Sequence, residues 1–343
     1  MNIQNADSVG GVSFHDNTVD NTHDVLQVCH KFAGQSKSAK LWGNKFVNKY
    51  KPHKETLDFF LARAADGVQP YFEIGVDKAR QASIEASEKY GGNGIQVTVY
   101  APSSCKADDS PTILAYFHGG GNVIGCRKTH QTICKIIAKE SPCIVVNVEY
   151  RLGPEHRFPA NHDDAKTLVQ WLAKNKAAVG GDAGSRLGVC GDSAGGRISA
   201  VVCHEAADII DFAVLIYPNV SCRFEHPSVS EFKDGPGVTW TTIEWFMENY
   251  FERKSDMGTP RASPLQHADF GKLPPTLIIV AELDPLRDGC HAYEEKLRTA
   301  GIPVELQTIK GVPHAFWSLT GAFRETGKEA QSYAVDFIRK FKA

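Results

Sequence analysis

Short apolar runs alternate with amphipathic stretches over most of the chain. Residues 95–100 alternate apolar and polar side chains, as a half-buried strand does, and Pro102 ends this run. Further runs rich in Val, Ile and Leu predict strands at 113–117, 143–148, 187–190, 212–217, 277–281 and 304–308. Helical patterns lie at about 129–139, 162–177, 194–206, 288–299 and 328–341. This order predicts an α/β fold in which helices cover both faces of a mostly parallel sheet.

Two segments interrupt the alternation. About the first 24 residues are polar, which favours a mobile start, and apolar side chains then recur at helical spacing as far as residue 90. The second interruption lies between the runs that end at Tyr217 and begin at Leu277, and it contains the aromatic-rich residues 240–247. A connection of this length predicts an inserted helical lid.

The composition of the chain indicates which kinds of molecule it is expected to bind. The chain has 343 residues, of which 42% are hydrophobic and 23% charged, as in globular proteins with a sizeable core. A net charge of -2 gives no electrostatic reason for nucleic-acid or anionic-membrane binding, so we expect a small, neutral partner. The nine cysteines lack zinc-ligand spacing, and we expect reduced thiols and no metal. With neither a signal-peptide pattern nor an apolar run of membrane length, we expect a cytoplasmic protein without stable membrane insertion.

The strongest motif follows the predicted strand at 187–190. Gly191, Asp192, Ser193, Ala194 and Gly195 match the G-x-S-x-G pattern, in which a sharp strand-to-helix turn exposes the serine hydroxyl. Because a strand precedes and a helix follows, we interpret Ser193 as a nucleophile rather than part of an ordinary glycine turn. Asp192 is expected to have a structural role beside it.

A glycine-rich motif follows the predicted strand at 113–117. After His118, the glycines Gly119, Gly120 and Gly121 free their backbone N–H groups, which acyl transfer needs where negative charge develops on the substrate oxygen. We predict an oxyanion hole formed by Gly119, Gly120 and Ala194, with His118 ordering the loop. Taken alone, a glycine triplet is more often a flexible loop. Its position one strand-helix-strand-helix unit before the serine motif favours the oxyanion hole.

A general base and an acid are expected after later strands. His314 follows the run at 304–308, and the order Ser, Asp, His is that of a nucleophile-elbow hydrolase. Three carboxylates, Glu282, Asp284 and Asp288, compete for the role of orienting the histidine. We favour Asp284, because it lies at the turn after a strand, whereas Asp288 is expected to open the next helix.

Taken together, these motifs resemble the hormone-sensitive-lipase-like carboxylesterases over about residues 95–340. The supporting motifs are HGGG at 118–121, Tyr150-Arg151-Leu152 with Pro154-Glu155, Phe158-Pro159-Ala160, GDSAGG at 191–196, Ser263-Pro264-Leu265, Leu273-Pro274-Pro275, Asp284-Pro285-Leu286 with Asp288, and His314 before Phe316.

The resemblance implies an α/β-hydrolase core with an eight-stranded sheet at 91–219 and 263–343, and a cap built from residues 1–90 and the insertion 220–262. It implies hydrolysis of small uncharged esters with short or medium acyl groups, without a cofactor, and it is compatible with a homodimer. Two positions depart from the family pattern. Asn122 stands where an aromatic residue is frequent, which predicts a wetter or differently shaped acyl pocket, and Arg197 replaces a residue that is commonly small and polar.

Two other functions use the same scaffold. A biosynthetic tailoring enzyme, such as a deacetylase, a dehydratase or a cyclase-like enzyme, would employ the same three residues on a natural product. A small-molecule receptor derived from this family would have lost a member of the triad, typically the histidine. Because Ser193, Asp284 and His314 are all present, the sequence favours an enzyme.

Overall fold

The computed structural model describes residues 9–10, 94–103, 105, 110–234 and 237–342. By its internal contacts the chain divides into two compact units, one of Met1–Val12 with Ile95–Ala343 and one of Ser13–Gly94. Apart from Gly94, the second unit lies outside the described residues. The predicted mobile start and the predicted N-terminal helices therefore also lie outside them, apart from the dipeptide Val9–Gly10.

Among the described residues, eight strands form one sheet. They are β1 (Val9–Gly10), β2 (Gln96–Tyr100), β3 (Ile113–Phe117), β4 (Ile144–Glu149), β5 (Leu187–Asp192), β6 (Phe212–Ile216), β7 (Thr276–Leu283) and β8 (Val304–Pro313). Their order across the sheet is β1-β2-β4-β3-β5-β6-β7-β8. Strand β2 is antiparallel to both of its neighbours, and all pairs from β4 to β8 are parallel. The predicted mostly parallel sheet is confirmed, and β1 is an addition that the sequence did not predict.

Helices cover both faces of this sheet. The described α-helices are α1 (Gln131–Glu140), α2 (Ala160–Lys174), α3 (Ala194–Glu205), α4 (Pro227–Glu231), α5 (Trp240–Tyr250), α6 (Arg287–Thr299) and α7 (Arg324–Arg339), with 3₁₀ turns at Lys176–Val179, Ala207–Ile209, Lys254–Gly258 and Pro264–Gln266. Successive residues of a strand point to opposite faces. Ile113 and Phe117 of β3 therefore pack in the core with α2, α3 and α6, whereas Leu114 and Tyr116 pack with α1 and α7.

The interval predicted as a lid contains helices α4 and α5. Helix α5 begins after Thr239, whose side-chain oxygen accepts a hydrogen bond from the backbone N–H of Thr242 at 3.3 Å, a typical N-cap contact. Ile243 and Tyr250 of this helix are buried, while Trp245 is exposed. The helical character of the interval is confirmed, and its role as a cap remains a prediction.

The parallel strands bring the predicted site residues to one edge of the sheet. The glycine loop follows β3, Ser193 follows β5, Asp284 follows β7 and His314 follows β8. A register shift between Ala281 and Leu283 lets Leu283 pair with Pro313, so the ends of β7 and β8 stay together as far as the acid and the base. The carboxyl edge of a parallel sheet is where such folds bind ligands.

Candidate active site

Ser193 occupies a strained turn between β5 and α3. Its φ of 56° lies in the left-handed region, which a residue with a side chain seldom adopts. The turn is held by the backbone N–H of Ser193, which donates to the carbonyl oxygen of Ile216 at 2.8 Å. Gly195 is required by close packing, because a Cβ there would overlap the carbonyl oxygen of Phe117. The glycines of the motif thus allow the main chain to hold the serine in this conformation.

The three predicted catalytic side chains form one hydrogen-bonded chain. The Nε2 atom of His314 lies 2.8 Å from the Oγ atom of Ser193, and its Nδ1 atom lies 2.6 Å from Oδ2 of Asp284. Asp284 is fully buried and His314 is 8% exposed, so water competes little for the bond between them. The other carboxylate oxygen of Asp284 accepts from the backbone N–H of Leu286 at 2.9 Å, which fixes the orientation of the acid.

The two competing carboxylates have other partners. Glu282 accepts hydrogen bonds from the Nζ atom of Lys310 and the backbone N–H of Gly311. Asp288 lies in the first turn of α6 and accepts from the backbone N–H of Ser228 at 2.8 Å. Asp284 is therefore the one of the three that contacts His314, in agreement with the prediction.

The glycine loop differs from the prediction at Gly119. Its backbone N–H donates to Oδ1 of Asp192 at 3.1 Å, and a Cβ on Gly119 would overlap that carboxylate. This N–H is consequently not directed at a substrate oxygen, and the expectation that Gly119 belongs to the oxyanion hole is corrected. The reason is a carboxylate more than seventy residues away in the chain, which no local pattern reveals.

The next two glycines form a turn after Gly119. Gly120 and Gly121 have φ values of 117° and 60°, and the backbone N–H of Ile124 closes the turn on the carbonyl oxygen of Gly120 at 3.0 Å. Within the described part of the chain, the N–H groups of Gly120, Gly121 and Ala194 donate to no partner. Ala194 is the first residue of α3, where helix geometry leaves the N–H unpaired.

Asp192 is the centre of a buried network, which we call the anionic cluster and define as Asp192, Tyr116 and His130. The Tyr116 hydroxyl donates to Oδ1 of Asp192 at 2.7 Å, and Nε2 of His130 lies 3.4 Å from Oδ2. Burial alone would raise the pKa of the Asp192 carboxyl, but His130 and Tyr116 lower it more, and the net pKa lies below the ordinary value. The predicted structural role of Asp192 thus consists in holding the glycine loop at Gly119.

His118 orders the loop from the other side, as predicted. Its Nδ1 atom donates to the carbonyl oxygen of Gly119 at 2.8 Å, and its ring stacks on Tyr150 with the ring centres 4.3 Å apart. Burial lowers the pKa of His118 to about 4. Its Nε2 atom is buried without a partner among the described residues, as expected for an unprotonated nitrogen. His118 is therefore neutral at physiological pH.

The two departures from the family pattern contact each other. Arg197 is fully buried on α3, and its guanidinium donates from Nη2 to the side-chain oxygen of Asn122 and from Nη1 to the Sγ atom of Cys222 at 2.6 Å. The guanidinium carbon also lies 5.0 Å from the centre of the Tyr250 ring. We call Arg197, Asn122 and Cys222 the cationic cluster. Asn122 is itself fully buried and its side-chain oxygen accepts from Arg197, so its side chain does not make the acyl pocket wetter. The alternative, a differently shaped acyl pocket, stays a prediction.

Sequence reasoning missed Tyr116 and His130. Tyr116 looks like any apolar strand residue, and His130 precedes α1 without a recognisable motif. They meet Asp192 across 76 and 62 residues of chain. Only the sheet order, which places β3 beside β5, brings these side chains together.

The described residues contain no cluster of three or more His, Cys, Asp or Glu side chains arranged to hold a metal ion. No helix in the described ranges combines the length and apolarity needed to cross a membrane.

The known proteins that resemble this chain in sequence include ester hydrolases. The sequence profile of the alpha/beta hydrolase fold family matches residues 114–318. The chain is 32% identical over 301 residues to an ethyl acetate hydrolase of Pseudomonas putida, covering 81% of this chain and 94% of that protein. It is 37% identical over 284 residues to a carboxylesterase of Mycobacterium tuberculosis, covering 77% of this chain and 87% of the relative.

Solved structures agree with this relationship. The hyperthermophilic esterase of the archaeon Pyrobaculum calidifontis superposes with a TM-score of 0.68 at 37% identity, covering 73% of this chain and 82% of the esterase. The esterase has the same fold. The chain belongs to the alpha/beta hydrolase fold family and, within it, to the hormone-sensitive-lipase-like carboxylesterases.

Proposed function

We propose that this enzyme hydrolyses small, uncharged carboxylic esters with Ser193 as nucleophile, His314 as general base and Asp284 as the acid that orients the histidine. The observation that carries the proposal is the continuous chain from Ser193 Oγ through both ring nitrogens of His314 to Asp284. This is the arrangement that acyl transfer by a serine hydroxyl requires.

In the first half-reaction, Nε2 of His314 takes the hydroxyl proton while Oγ of Ser193 attacks the ester carbonyl carbon. Asp284 accepts the Nδ1–H bond and stabilises the imidazolium that forms. The protonated histidine then gives its proton to the alkoxy group, the C–O bond breaks and the alcohol leaves. In the second half-reaction, His314 takes a proton from water, whose oxygen attacks the carbonyl carbon of the acyl-enzyme. The bond between that carbon and Oγ of Ser193 then breaks, His314 returns the proton to Oγ, and the carboxylic acid leaves.

We propose that the N–H groups of Gly120, Gly121 and Ala194 form the oxyanion hole. These three donors lack partners among the described residues, unlike the N–H of Gly119. The position of Ala194 at the N-terminus of α3 adds the positive end of a helix dipole. Removing one such donor in a serine hydrolase typically costs about 10²–10³-fold in kcat.

An apolar acyl group is favoured by what surrounds the glycine loop. The aromatic ring of Phe246 on α5 packs directly against Gly121, where a Cβ would overlap it. The insertion 220–262 would thereby act as a cap that contacts the acyl site. The relative from Pseudomonas putida is named for ethyl acetate, which is a small uncharged ester.

We further propose that the protein works in the cytoplasm. The eight cysteines among the described residues are free thiols, and six of them are buried. Free thiols are characteristic of a reducing compartment.

The test is hydrolysis of p-nitrophenyl esters of increasing acyl length by wild type, Ser193→Ala and His314→Ala. We expect turnover of short and medium esters by wild type, and a decrease in kcat of roughly 10³-fold or more in each variant. Ser221→Ala is the matched control, because Ser221 lies outside the triad and its change should leave kcat near the wild-type value.

A wild-type protein that reacts with a fluorophosphonate at Ser193 but turns over none of these esters would contradict the proposal and favour a tailoring enzyme. Ligand binding unaffected by Ser193→Ala, without any turnover, would instead indicate a receptor.

A further inference from the structure

The carboxylate of Asp192 poses an electrostatic problem for the proposed reaction. It is 3% exposed, directly precedes Ser193 and accepts the N–H of Gly119 at the start of the glycine loop. An unneutralised negative charge at this position would oppose the negative charge that develops on the ester oxygen, because Coulomb interactions are poorly screened in a buried site. A positive charge beside Asp192 would remove this opposition.

His130 is in the right place to supply that charge. Its side chain is 8% exposed, and its Nε2 atom faces Oδ2 of Asp192 at 3.4 Å. A carboxylate in its charged form only accepts hydrogen bonds, so Nε2 must carry a proton to make this contact.

The second ring nitrogen also acts as a donor. The Nδ1 atom of His130 lies 2.8 Å from Oγ1 of Thr129. The single hydroxyl proton of Thr129 is used in a 2.7 Å bond to the carbonyl oxygen of Cys126. Thr129 therefore accepts from Nδ1, and a histidine that donates from both nitrogens is an imidazolium cation.

We propose that His130 is a positioning residue that stays protonated against Asp192, so that the carboxylate can hold the glycine loop at Gly119 without opposing the oxyanion. This inference rests on the proposed ester hydrolysis. His130 differs from the neighbouring His118, although their ring centres are only 5.5 Å apart. Among the described residues, no carboxylate forms a hydrogen bond with His118, and His118 is neutral.

The charge of His130 depends on pH in a defined direction. Burial lowers the pKa of His130, but the charge and the hydrogen bond of Asp192 raise it more, and the net pKa lies above the ordinary 6.5. The stabilisation that His130 provides is therefore fully present below pH 6.5 and is lost as the pH rises through its folded-state pKa.

Among the described residues, few other groups near His130 titrate in this range. Burial raises the pKa values of the Tyr116 hydroxyl and the Cys134 and Cys190 thiols well above their ordinary values, and lowers the pKa of His118. Glu149 and Asp192 provide the negative charges that face this group of side chains.

The kinetic test compares the pH dependence of kcat/KM for wild type and His130→Gln on a p-nitrophenyl ester. Glutamine can still donate one hydrogen bond to Asp192 but carries no charge. We expect the kcat/KM of the variant to be about tenfold lower near neutral pH and the two profiles to converge at alkaline pH, where wild-type His130 is neutral. A variant that stays below wild type by a constant factor at every pH would overturn the proposal, because it would indicate a structural role alone.

Tyr116→Phe is the matched control, since it removes a neutral hydrogen bond to the same carboxylate. It should lower kcat/KM and keep the alkaline decrease that wild type shows. Loss of that decrease in Tyr116→Phe would contradict the assignment to His130.

A titration by NMR separates this inference from the proposed function. The Cε1–H signal of His130, assigned by its loss in His130→Gln, should titrate with a pKa above 6.5 in wild type and shift downward in Asp192→Asn. If wild type fails to hydrolyse esters, the proposed function is wrong, while this titration still tests the charge. A His130 pKa at or below the ordinary value would overturn the inference whatever the activity.

Discussion

The two sides of Ser193 carry buried charges of opposite sign that are accommodated in different ways. Asp192 precedes the serine and is held in the anionic cluster by a histidine cation and a tyrosine hydroxyl. Arg197 follows it by one helical turn and lies in the cationic cluster, where no carboxylate of the described residues pairs with it. Its partners are a thiol, an amide oxygen and aromatic rings.

Because of this difference, we expect removal of the charge of Asp192 to cost more stability than removal of the charge of Arg197. Removing Asp192 breaks a buried ion pair, so that His130 must either stay buried as an unpaired cation or give up its proton, and both outcomes cost stability. Removing Arg197 leaves a thiol, an amide and aromatic rings, which are all neutral, among its described contacts. A guanidinium is suited to such surroundings, because it is weakly hydrated, stacks on aromatic rings and stays charged at all physiological pH values. The anionic cluster can therefore respond to pH, whereas the cationic cluster cannot.

The largest effect is expected from Asp192→Asn. The amide cannot accept all the hydrogen bonds that the carboxylate accepts, and it removes the negative charge that raises the pKa of His130. We expect the free energy of unfolding to decrease by about 3–5 kcal/mol at pH 7. We also expect kcat to decrease by about 10²-fold, because the glycine loop loses its anchor at Gly119. Urea unfolding and ester hydrolysis measure the two effects.

Asp211→Asn is the control for this experiment. Asp211 also accepts from a backbone N–H, that of Leu187, but it lies at the opposite end of β5 from the serine. The Asp211→Asn substitution should lower the free energy of unfolding and leave kcat unchanged. Full activity in folded Asp192→Asn would show that the anionic cluster serves the fold alone.

We expect a smaller decrease in the free energy of unfolding from Arg197→Met. This variant tests the cationic cluster. Methionine fills a similar length, and no buried counter-charge remains, so we expect a loss of about 1–2 kcal/mol, mainly from the unpaired oxygen of Asn122. Arg197→Lys should be no more stable than Arg197→Met, because an ammonium cannot reproduce the flat contacts of the guanidinium.

Thermal or urea unfolding of the two Arg197 variants measures this order. A loss as large as that of Asp192→Asn would mean that Arg197 has an acidic partner in solution. The distinction between the paired and the unpaired charge would then be wrong.

The smallest effect is expected from Cys222→Ser. The Sγ atom of Cys222 accepts from Arg197 and donates to the carbonyl oxygen of Ala262 at 3.2 Å, and a hydroxyl can do both. We expect a change in unfolding free energy below about 1 kcal/mol. Cys190→Ser is the matched control, because this buried strand thiol has no hydrogen bond among the described residues, and its hydroxyl should cost about 1–3 kcal/mol. If the two variants lose equal free energy of unfolding, the contact between Cys222 and Arg197 contributes nothing to stability.

Local patterns were sufficient to predict strands β2 to β8 and to propose three catalytic residues. The apolar runs predicted β2 to β8, and the strand-turn-helix context identified Ser193 before any contact was known. The choice of Asp284 over two nearby carboxylates followed from its place at the end of β7 and agrees with its contact to His314. Strands and tight turns can be predicted in this way because each depends on residues that are adjacent in the chain.

The donors of the glycine loop could not be chosen in the same way. Three consecutive glycines are equivalent in a sequence, and the assignment of Gly119 to the oxyanion hole was wrong because Asp192 takes its N–H. Likewise, Asn122 and Arg197 stood out as two separate departures, and nothing in the sequence indicated that they contact each other across 75 residues.

The sequence by itself determined the fold class, the sheet strands, the nucleophile turn and the order of the proposed triad, because each depends on periodicity or on residues close together in the chain. Only the tertiary structure decided which glycine N–H groups stay free, which histidine meets Asp192 and what surrounds Arg197. Strands β3 and β5 lie side by side, which determines the hydrogen-bond partners in this region. Burial from water then determines which of these side chains are protonated.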